Sequence, residues 1–418
     1  MPDIRPVRGT HDLHGDELRR HRHVTATAAA VARCHGFDEI ATPIFEFTDI
    51  FARSLGDTSD VVAKEMYTFE DRGGESLTLR PENTAGVVRA VVSGGLLQSP
   101  PLKLFYAGPM FRYERPQKGR LRQFHQIGVE VLGAAEPAAD VEVVALGQQV
   151  LEQLGITRGV TLEINTLGDP ESRQAYRATL VRYLEGHKAR LSADSLTRLG
   201  HNPLRILDSK DEGDRAVIAE APIIDDSLNE ASRDFFAAVE EGLAELGIAC
   251  TRNHKLVRGL DYYTHTAFEF TSTELGAQSA VLAGGRYDGL SRAIGGPDMP
   301  GVGWAAGIER LAMLTADPPP LPRPVAVVPI GAAAESAARL LAHELRRAGH
   351  RVELAYKGKP GQRMKRADRQ NARWAVLIGE DELSRGSLTL RDLDTGREQA
   401  VERIALSTRL ADDAAQTE

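Results

Sequence analysis

The segment from Phe111 to Glu130, FRYERPQKGRLRQFHQIGVE, constrains this chain more than any other. It predicts two β-strands joined by a strongly basic loop. Successive side chains on a strand face opposite sides of a sheet. Ile127, Val129 and Val131 share one parity, and Phe124, Gln126, Gly128 and Glu130 share the other. One face is therefore apolar and packs. The opposite face carries an aromatic ring, an amide, a gap and a carboxylate. Arg112 and Glu114 likewise share a face of the first strand. Burying such a face without polar partners is costly, so it suits the floor of a polar ligand site. A solvated sheet face laced with surface ion pairs carries the same residues, and such pairs are energetically minor. The rest of the chain decides between the two.

At 418 residues the chain has room for two or three domains, each with a core. Cys34 and Cys250 are far apart and near no ligand-like cluster, which argues for a reducing compartment and against zinc or disulfides. The N-terminal stretch MPDIRPVRGTHDLHGDE has charges throughout and is not a signal peptide. No apolar run approaches the roughly 18 to 20 residues of a membrane helix. A cytoplasmic protein without a membrane partner is expected. The net charge of −8 excludes a generally basic nucleic-acid surface, so any such partner is held locally. Arg112, Arg115, Lys118, Arg120 and Arg122 form one basic patch; Lys357, Lys359, Arg363, Lys365, Arg366, Arg369 and Arg373 form another, which is equally compatible with a solvated face.

Leu18, Val24, Ala28 and Val31 predict a helix over 16–35. Residues 39–45 predict a strand broken by Pro43, which places it at an edge or interface. A hairpin is expected over 66–80, a helix from Thr84 to Val92, strands within 102–131, a helix over 136–154 and a strand over 160–166. Residues 170–250 lack the Gly-Arg punctuation on either side and read as a helical insertion. Strands resume at 256–271 and 277–286, and 301–314 reads as a strand turning into a helix. The proline-rich stretch DPPPLPRP, 317–324, is the clearest linker. These breaks divide the chain into 1–169, 170–250, 251–316 and 325–418. The last part alternates β-α-β-α-β and predicts a small α/β domain, with LADDAAQTE at the end frayed.

Three further clusters carry chemistry. Glu82 and Thr84 follow a hairpin strand; Glu82 there can hold an ammonium group or cap a helix. VRGLDYYTHTAFEF presents Arg258, Tyr262 and Tyr263, and LAGGRYDGL adds Gly284, Gly285 and Arg286. GIERL sets Arg310 in the early turns of a helix, where phosphate is favoured. Arg112, Arg258 and Arg310 together suggest a polyphosphate cradle. The chain has neither GxxxxGK[ST] nor GxGxxG after a first strand, which excludes a P-loop and a Rossmann fingerprint.

EIATPIFEFTDIFARSLG, FRYERPQKGRLRQFHQIGVE and GVGWAAGIERL resemble motifs 1, 2 and 3 of the class II aminoacyl-tRNA synthetases. VRGLDYYT and LAGGRYDG resemble segments particular to the histidyl-tRNA synthetase family. The resemblance spans nearly the whole chain; Asn83 and His265 stand where other residues occur in relatives. It implies an α+β fold: a six-stranded antiparallel catalytic sheet with helices, a helical insertion and a C-terminal α/β anticodon-binding domain. It also implies a homodimer formed through motif 1. The implied reaction joins histidine to ATP as histidyl-adenylate, then to the 3′ end of histidine tRNA.

By the same resemblance, Glu130 and Tyr263 take the imidazole, beside Tyr262, while Glu82, Thr84 and Gln126 take the ammonium group. Arg112, Glu114, Arg120, Phe124 and Arg310 bind ATP. Arg112 and Arg258 are the catalytic cations, Arg258 also meeting histidine. Arg115, Gln117 and Lys118 meet the tRNA acceptor end. Mg2+ comes with ATP, without a protein cage. The alternative is a non-catalytic synthetase-like subunit regulating ATP phosphoribosyltransferase in histidine biosynthesis. The full arginine set and the tail domain oppose it.

Overall fold

The computed structural model describes residues 4–56, 59, 61–97, 99–117, 119–257, 262–275 and 280–415, with side chains described to residue 411. They form two compact units, Met1–Pro318 and Pro319–Glu418.

In the first unit six strands make an antiparallel sheet. Their spatial order is Leu102–Phe111, Gln123–Leu132, Gly301–Gly307, Ala280–Arg286, Thr264–Ser272 and Val160–Thr166. The two-residue segments Asp38–Glu39 and Thr251–Arg252 extend its edges by parallel pairing. The parity read from the sequence sets the register. Ile127, Val129 and Val131 join Val302, Trp304, Phe268 and Phe270 in one buried core. Each large apolar side chain contributes about 1.5–3 kcal/mol when buried. A one-residue slip would turn this whole row to the wrong face. The helices Gly15–Cys34 and Pro137–Gln153 cover this side, the first through Val24, Ala28 and Val31. The other face packs Tyr106, Met110, Tyr262, Tyr263 and Tyr287 against the helix Thr84–Ser93, and leaves a cleft.

The expected strand over 39–45 is not continuous. Residues 40–44 carry the Pro43 break, and pairing resumes at Phe45–Phe47 in a separate three-stranded sheet with Tyr67–Glu70 and Ser76–Leu79. That sheet leaves Phe45, Phe47 and Phe69 exposed. The strand expected from 256 begins at Thr264. Between Val160–Thr166 and the Thr251–Arg252 segment, helices Pro170–Gly186, Ala193–His201 and Glu212–Ile218 enclose a core of their own around Leu180, Leu184, Ile206 and Val217, while the helix Glu230–Glu245 packs into the sheet core through Phe236, Val239 and Leu243.

In the second unit Val352–Leu354, Val325–Pro329 and Trp374–Ile378 pair in parallel, as the alternation predicts. Two antiparallel strands, Ser387–Asp392 and Glu398–Glu402, complete the sheet. The end of the chain departs from expectation: Arg403–Ala415 is a helix, anchored by Leu406 and Leu410 one turn apart and buried. The second basic patch is partly structural. Arg363 pairs with Glu335 at 2.6 Å, Arg366 with Glu353 at 2.8 Å and Arg373 with Asp392 at 2.5 Å. Lys357, Lys359, Lys365 and Arg369 remain exposed. Between the parallel strand Val352–Leu354 and the helix Pro360–Arg369, Tyr356 is 99% exposed.

Candidate active site

The cleft is built on the polar parity of the strand Gln123–Leu132. Glu130 is buried at one end of it. Thr84 Oγ1 donates to Glu130 Oε1 at 2.7 Å, and the Tyr287 hydroxyl donates to Oε2. The space for this side chain comes from Gly303 on the adjoining strand, where a Cβ would lie 1.9 Å from Glu130 Oε2. The gap at Gly128 is filled by the ring of Tyr106 from the other neighbour; a Cβ at Gly128 would lie 2.4 Å from its hydroxyl. Burial pushes the Glu130 carboxyl up to about 8 against the pull of its two hydroxyl donors. Burial also holds the phenols of Tyr106, Tyr262 and Tyr287 well above their ordinary range, so they stay protonated donors.

Glu82 performs the capping role open to it. Its carboxylate accepts the Thr84 N–H at 2.7 Å and the Ala85 N–H at 3.0 Å, at the start of the helix Thr84–Ser93. It also lines the cleft. Asn83, beside it, is buried and accepts from Thr42 Oγ1 at 2.7 Å and Arg80 Nη1 at 3.0 Å, which fixes this turn. Gln126 Oε1 is buried without a hydrogen-bond partner, on a residue that faces the cleft. A buried amide oxygen left this way is an acceptor awaiting a donor. Tyr262 and Tyr263 stack at 4.7 Å, with the Tyr263 ring against Gly285.

Phe124 lies six residues from Glu130, about 20 Å along the strand. Arg112 sits over its ring at 5.4 Å, and its Nε donates to the Pro81 carbonyl at 2.8 Å. Glu114 pairs with Arg120 at 3.0 Å and lies 3.9 Å from Arg112. Arg310 Nη1 donates to the Ala280 carbonyl at 2.7 Å. Burial, then the neighbouring Arg120, hold the Arg310 guanidinium below its ordinary range. An arriving polyanion relieves that crowding. The carboxylates of Glu114 and Glu269 line the cleft beside these arginines and are hard oxygen donors of the kind Mg2+ accepts.

Glu309, next to Arg310, accepts the His125 backbone N–H at 2.9 and 3.0 Å and meets the His125 ring Nδ1 at 2.9 Å. Among the described residues, His21, His125 and Glu309 place ligand-type atoms within 4.8 Å of one another. The Glu309–His125 contacts tie the helix Ile308–Leu314, and so Arg310, to the strand that carries Gln126 and Glu130.

One cleft thus gathers Glu82, Thr84, Gln126, Glu130, Tyr262 and Tyr263 with Arg112, Glu114, Arg120, Phe124 and Arg310. Arg115 and Gln117 are exposed on the loop beyond it. Arg258 and Lys118 lie outside the described residues. The family model described as histidyl-tRNA synthetase matches residues 9–311, and the model of an anticodon binding domain matches residues 324–412. The chain belongs to the histidyl-tRNA synthetase family. It is 62% identical over 412 residues to a histidine–tRNA ligase of Rhodospirillum rubrum, covering 98% of this chain and 99% of that one. It is 57% identical over 411 residues to that of Gluconacetobacter diazotrophicus, with 98% and 99% covered. The solved apo histidyl-tRNA synthetase of S. aureus superposes with a TM-score of 0.81 at 35% identity, covering 97% of this chain and 99% of that one.

The sequence reading of this histidyl-tRNA synthetase family member missed some cleft residues. Tyr287, one position past Gly-Gly-Arg, holds Glu130; Tyr106 fills the gap; Glu269 faces the arginines. Strand parity was the available signal, since Tyr106 pairs with Gly128 and Glu269 with Ala283. Arg286 takes no place in the cleft. It is fully buried and pairs with Asp140 at the start of the helix Pro137–Gln153 and with Asp288 at 3.0 Å.

Proposed function

We propose that this chain charges histidine tRNA: it activates histidine with ATP to histidyl-adenylate and passes histidine to the 3′ end of the tRNA. The observation that carries this reading is one cleft that holds a buried acid and hydroxyls around Glu130 together with the guanidinium groups of Arg112, Arg120 and Arg310. That combination suits an amino acid joined to a nucleotide. Relatives at 62% and 57% identity over nearly the full chain are histidine–tRNA ligases, which favours charging over the regulatory alternative.

In this reading Glu130 and Tyr263 take the imidazole nitrogens, with Tyr262 beside them. Gln126, Glu82 and Thr84 take the α-ammonium, which supplies the donor that Gln126 Oε1 lacks. Arg112 grips the α-phosphate and Arg310 the γ-phosphate, while Phe124 stacks the adenine and Glu114 and Arg120 flank it. Arg258, by family resemblance, offsets the charge that grows at the α-phosphate. The histidine carboxylate is already ionised, so attack needs no protein base, and catalysis is positioning plus electrostatic stabilisation. Mg2+ would shield the phosphates when bound, with Glu114 and Glu269 as the nearby oxygen donors. Arg115, Gln117 and Lys118 would meet the tRNA acceptor end. In the tail, exposed Tyr356 with Lys357 and Lys359 offers a ring and cations to a splayed anticodon base. The domain limits 1–169, 170–250, 251–316 and 325–418 follow the same reading. So does a cytoplasmic location, which cell fractionation checks; no helix among the described residues is long and apolar enough to cross a membrane.

The experiment is pyrophosphate exchange. ATP and labelled pyrophosphate exchange only when histidine is present, and histidine is then transferred to its tRNA. No histidine-dependent exchange would sink the reading.

The exposed aromatic face of Phe45, Phe47 and Phe69 supports a homodimer through this sheet. Light scattering then gives twice the 45.5 kDa chain mass, and Phe47→Glu gives the single mass. A native protein that runs as one chain would refute the dimer.

A further inference from the structure

Among the described residues, both ends of the helical insertion touch the segment that carries the cleft tyrosines. Arg173, in the first turn of the helix Pro170–Gly186, donates from Nη1 to the backbone carbonyl of Tyr263 at 2.9 Å. Phe235, in the last helix of the insertion, Glu230–Glu245, stacks on the ring of His265 at 4.5 Å and 33°. The guanidinium of Arg286, the residue before Tyr287, lies 5.1 Å from the other partner of that stack, the Phe235 ring. Between these contacts the backbone is fixed in turn. The His265 carbonyl accepts the Leu167 N–H at 2.6 Å, and the His265 N–H donates to the Gly168 carbonyl at 2.9 Å.

The two helix starts are braced to each other. Asn229 Nδ2 donates to Asp169 Oδ2 at 2.8 Å, the Asp169 N–H donates to Ser232 Oγ at 3.1 Å, and the Asn229 N–H donates to Ser172 Oγ at 3.0 Å. The grip falls on a segment that needs one. His265 has φ +43°, a left-handed backbone that is unfavourable for a residue other than glycine and persists only when its surroundings hold it. The strand pairing slips at the same point, between Gly285 and Arg286. The strained turn therefore sits directly after the two tyrosines that wall the cleft.

We infer that Arg173 and Phe235 are positioning residues for histidine binding: the two ends of the insertion clasp the Tyr262–His265 turn and set where the tyrosines stand in the cleft. The inference rests on the assignment of Tyr263 to the histidine subsite. Its physical content is a route from the insertion to substrate selection. A change in how the insertion sits moves the Tyr263 carbonyl and the His265 ring before it moves anything at the arginine end. Arg112, Phe124 and Arg310, assigned to ATP, arise from other segments of the fold and stay in place.

The test uses the full-length protein and steady-state pyrophosphate exchange, with histidine and ATP each varied. Arg173→Ala raises the KM for histidine about tenfold, the loss expected for one charge-assisted hydrogen bond, with the KM for ATP and the melting temperature nearly unchanged. Arg173→Lys, which keeps a donor, recovers most of the loss. Phe235→Leu gives a smaller shift in the same direction. Tyr263→Phe is the control for the subsite. If Tyr263→Phe raises the histidine KM and Arg173→Ala does not, the clasp is wrong while the subsite stands. If neither moves it, the subsite assignment fails and takes the clasp with it. If Arg173→Ala raises both KM values and lowers the melting temperature together, the arginine is structural and the inference is overturned.

Discussion

Arg112→Ala slows histidyl-adenylate formation by about 10²–10³-fold, the cost typical of removing one preorganised donor aimed at developing charge. The expectation comes from how the guanidinium is held. Its Nε is bonded to the Pro81 carbonyl and its plane lies over Phe124, so its orientation is set before ATP arrives. A donor that does not reorganise during the reaction acts fully on the transition state. In the proposed reading Arg112 meets ATP while Glu130, Tyr263 and Gln126 hold histidine, so histidine affinity stays within about twofold. Arg112→Lys recovers little, because an ammonium lacks both the fork and the planar stacking. Single-turnover adenylate formation, followed by quench, separates this from a binding defect. A rate within threefold of the native protein would remove Arg112 from the chemistry.

Much of this site is legible in strand parity alone. Phe124, Gln126 and Glu130 stand on one face because Ile127, Val129 and Val131 must be buried on the other, and neither side can change without the other. The glycines were harder to read. Gly128 reads in the sequence only as a gap, and Gly303 only as a small residue within a strand. Their role appears only when a Glu130 carboxylate or a Tyr106 ring crosses from the adjacent strand. The role of Arg286 is hidden from the sequence for a related reason. It follows Gly284 and Gly285 in a segment rich in site residues, yet it is buried against the carboxylate of Asp140. An arginine is equally suited to phosphate and to a buried carboxylate, and only the fold decides. The strands Ser387–Asp392 and Glu398–Glu402 escaped the alternating pattern because the second is almost wholly exposed, so burial left little mark on its composition. The terminal helix rests on just two side chains, Leu406 and Leu410, too few to signal a helix against a polar background.

Glu130→Gln weakens histidine binding by about 10–100-fold and leaves ATP affinity within about twofold. An amide keeps the shape of the carboxyl but cannot ionise. A charge-assisted hydrogen bond to the imidazole N–H contributes about 1.5–3 kcal/mol, and a tenfold change in affinity corresponds to about 1.4 kcal/mol. Calorimetric titration with each ligand checks the split; an unchanged histidine affinity would refute the imidazole assignment. The same variant carries a second signature. In the empty cleft burial raises the Glu130 carboxyl from 4.5 to about 8, so between those values the folded protein holds a proton that the unfolded chain has released. The group's contribution to stability is therefore full below the unfolded value and declines as pH rises toward 8. Glu130→Gln holds no such proton, and the native protein loses stability relative to the variant as pH rises from 5.5 to 8, read from denaturant midpoints. A difference that stays flat across that range would mean the carboxyl is ionised in the empty cleft. Histidine would then meet a ready-made anion rather than a neutral acid whose charge its own imidazole calls out.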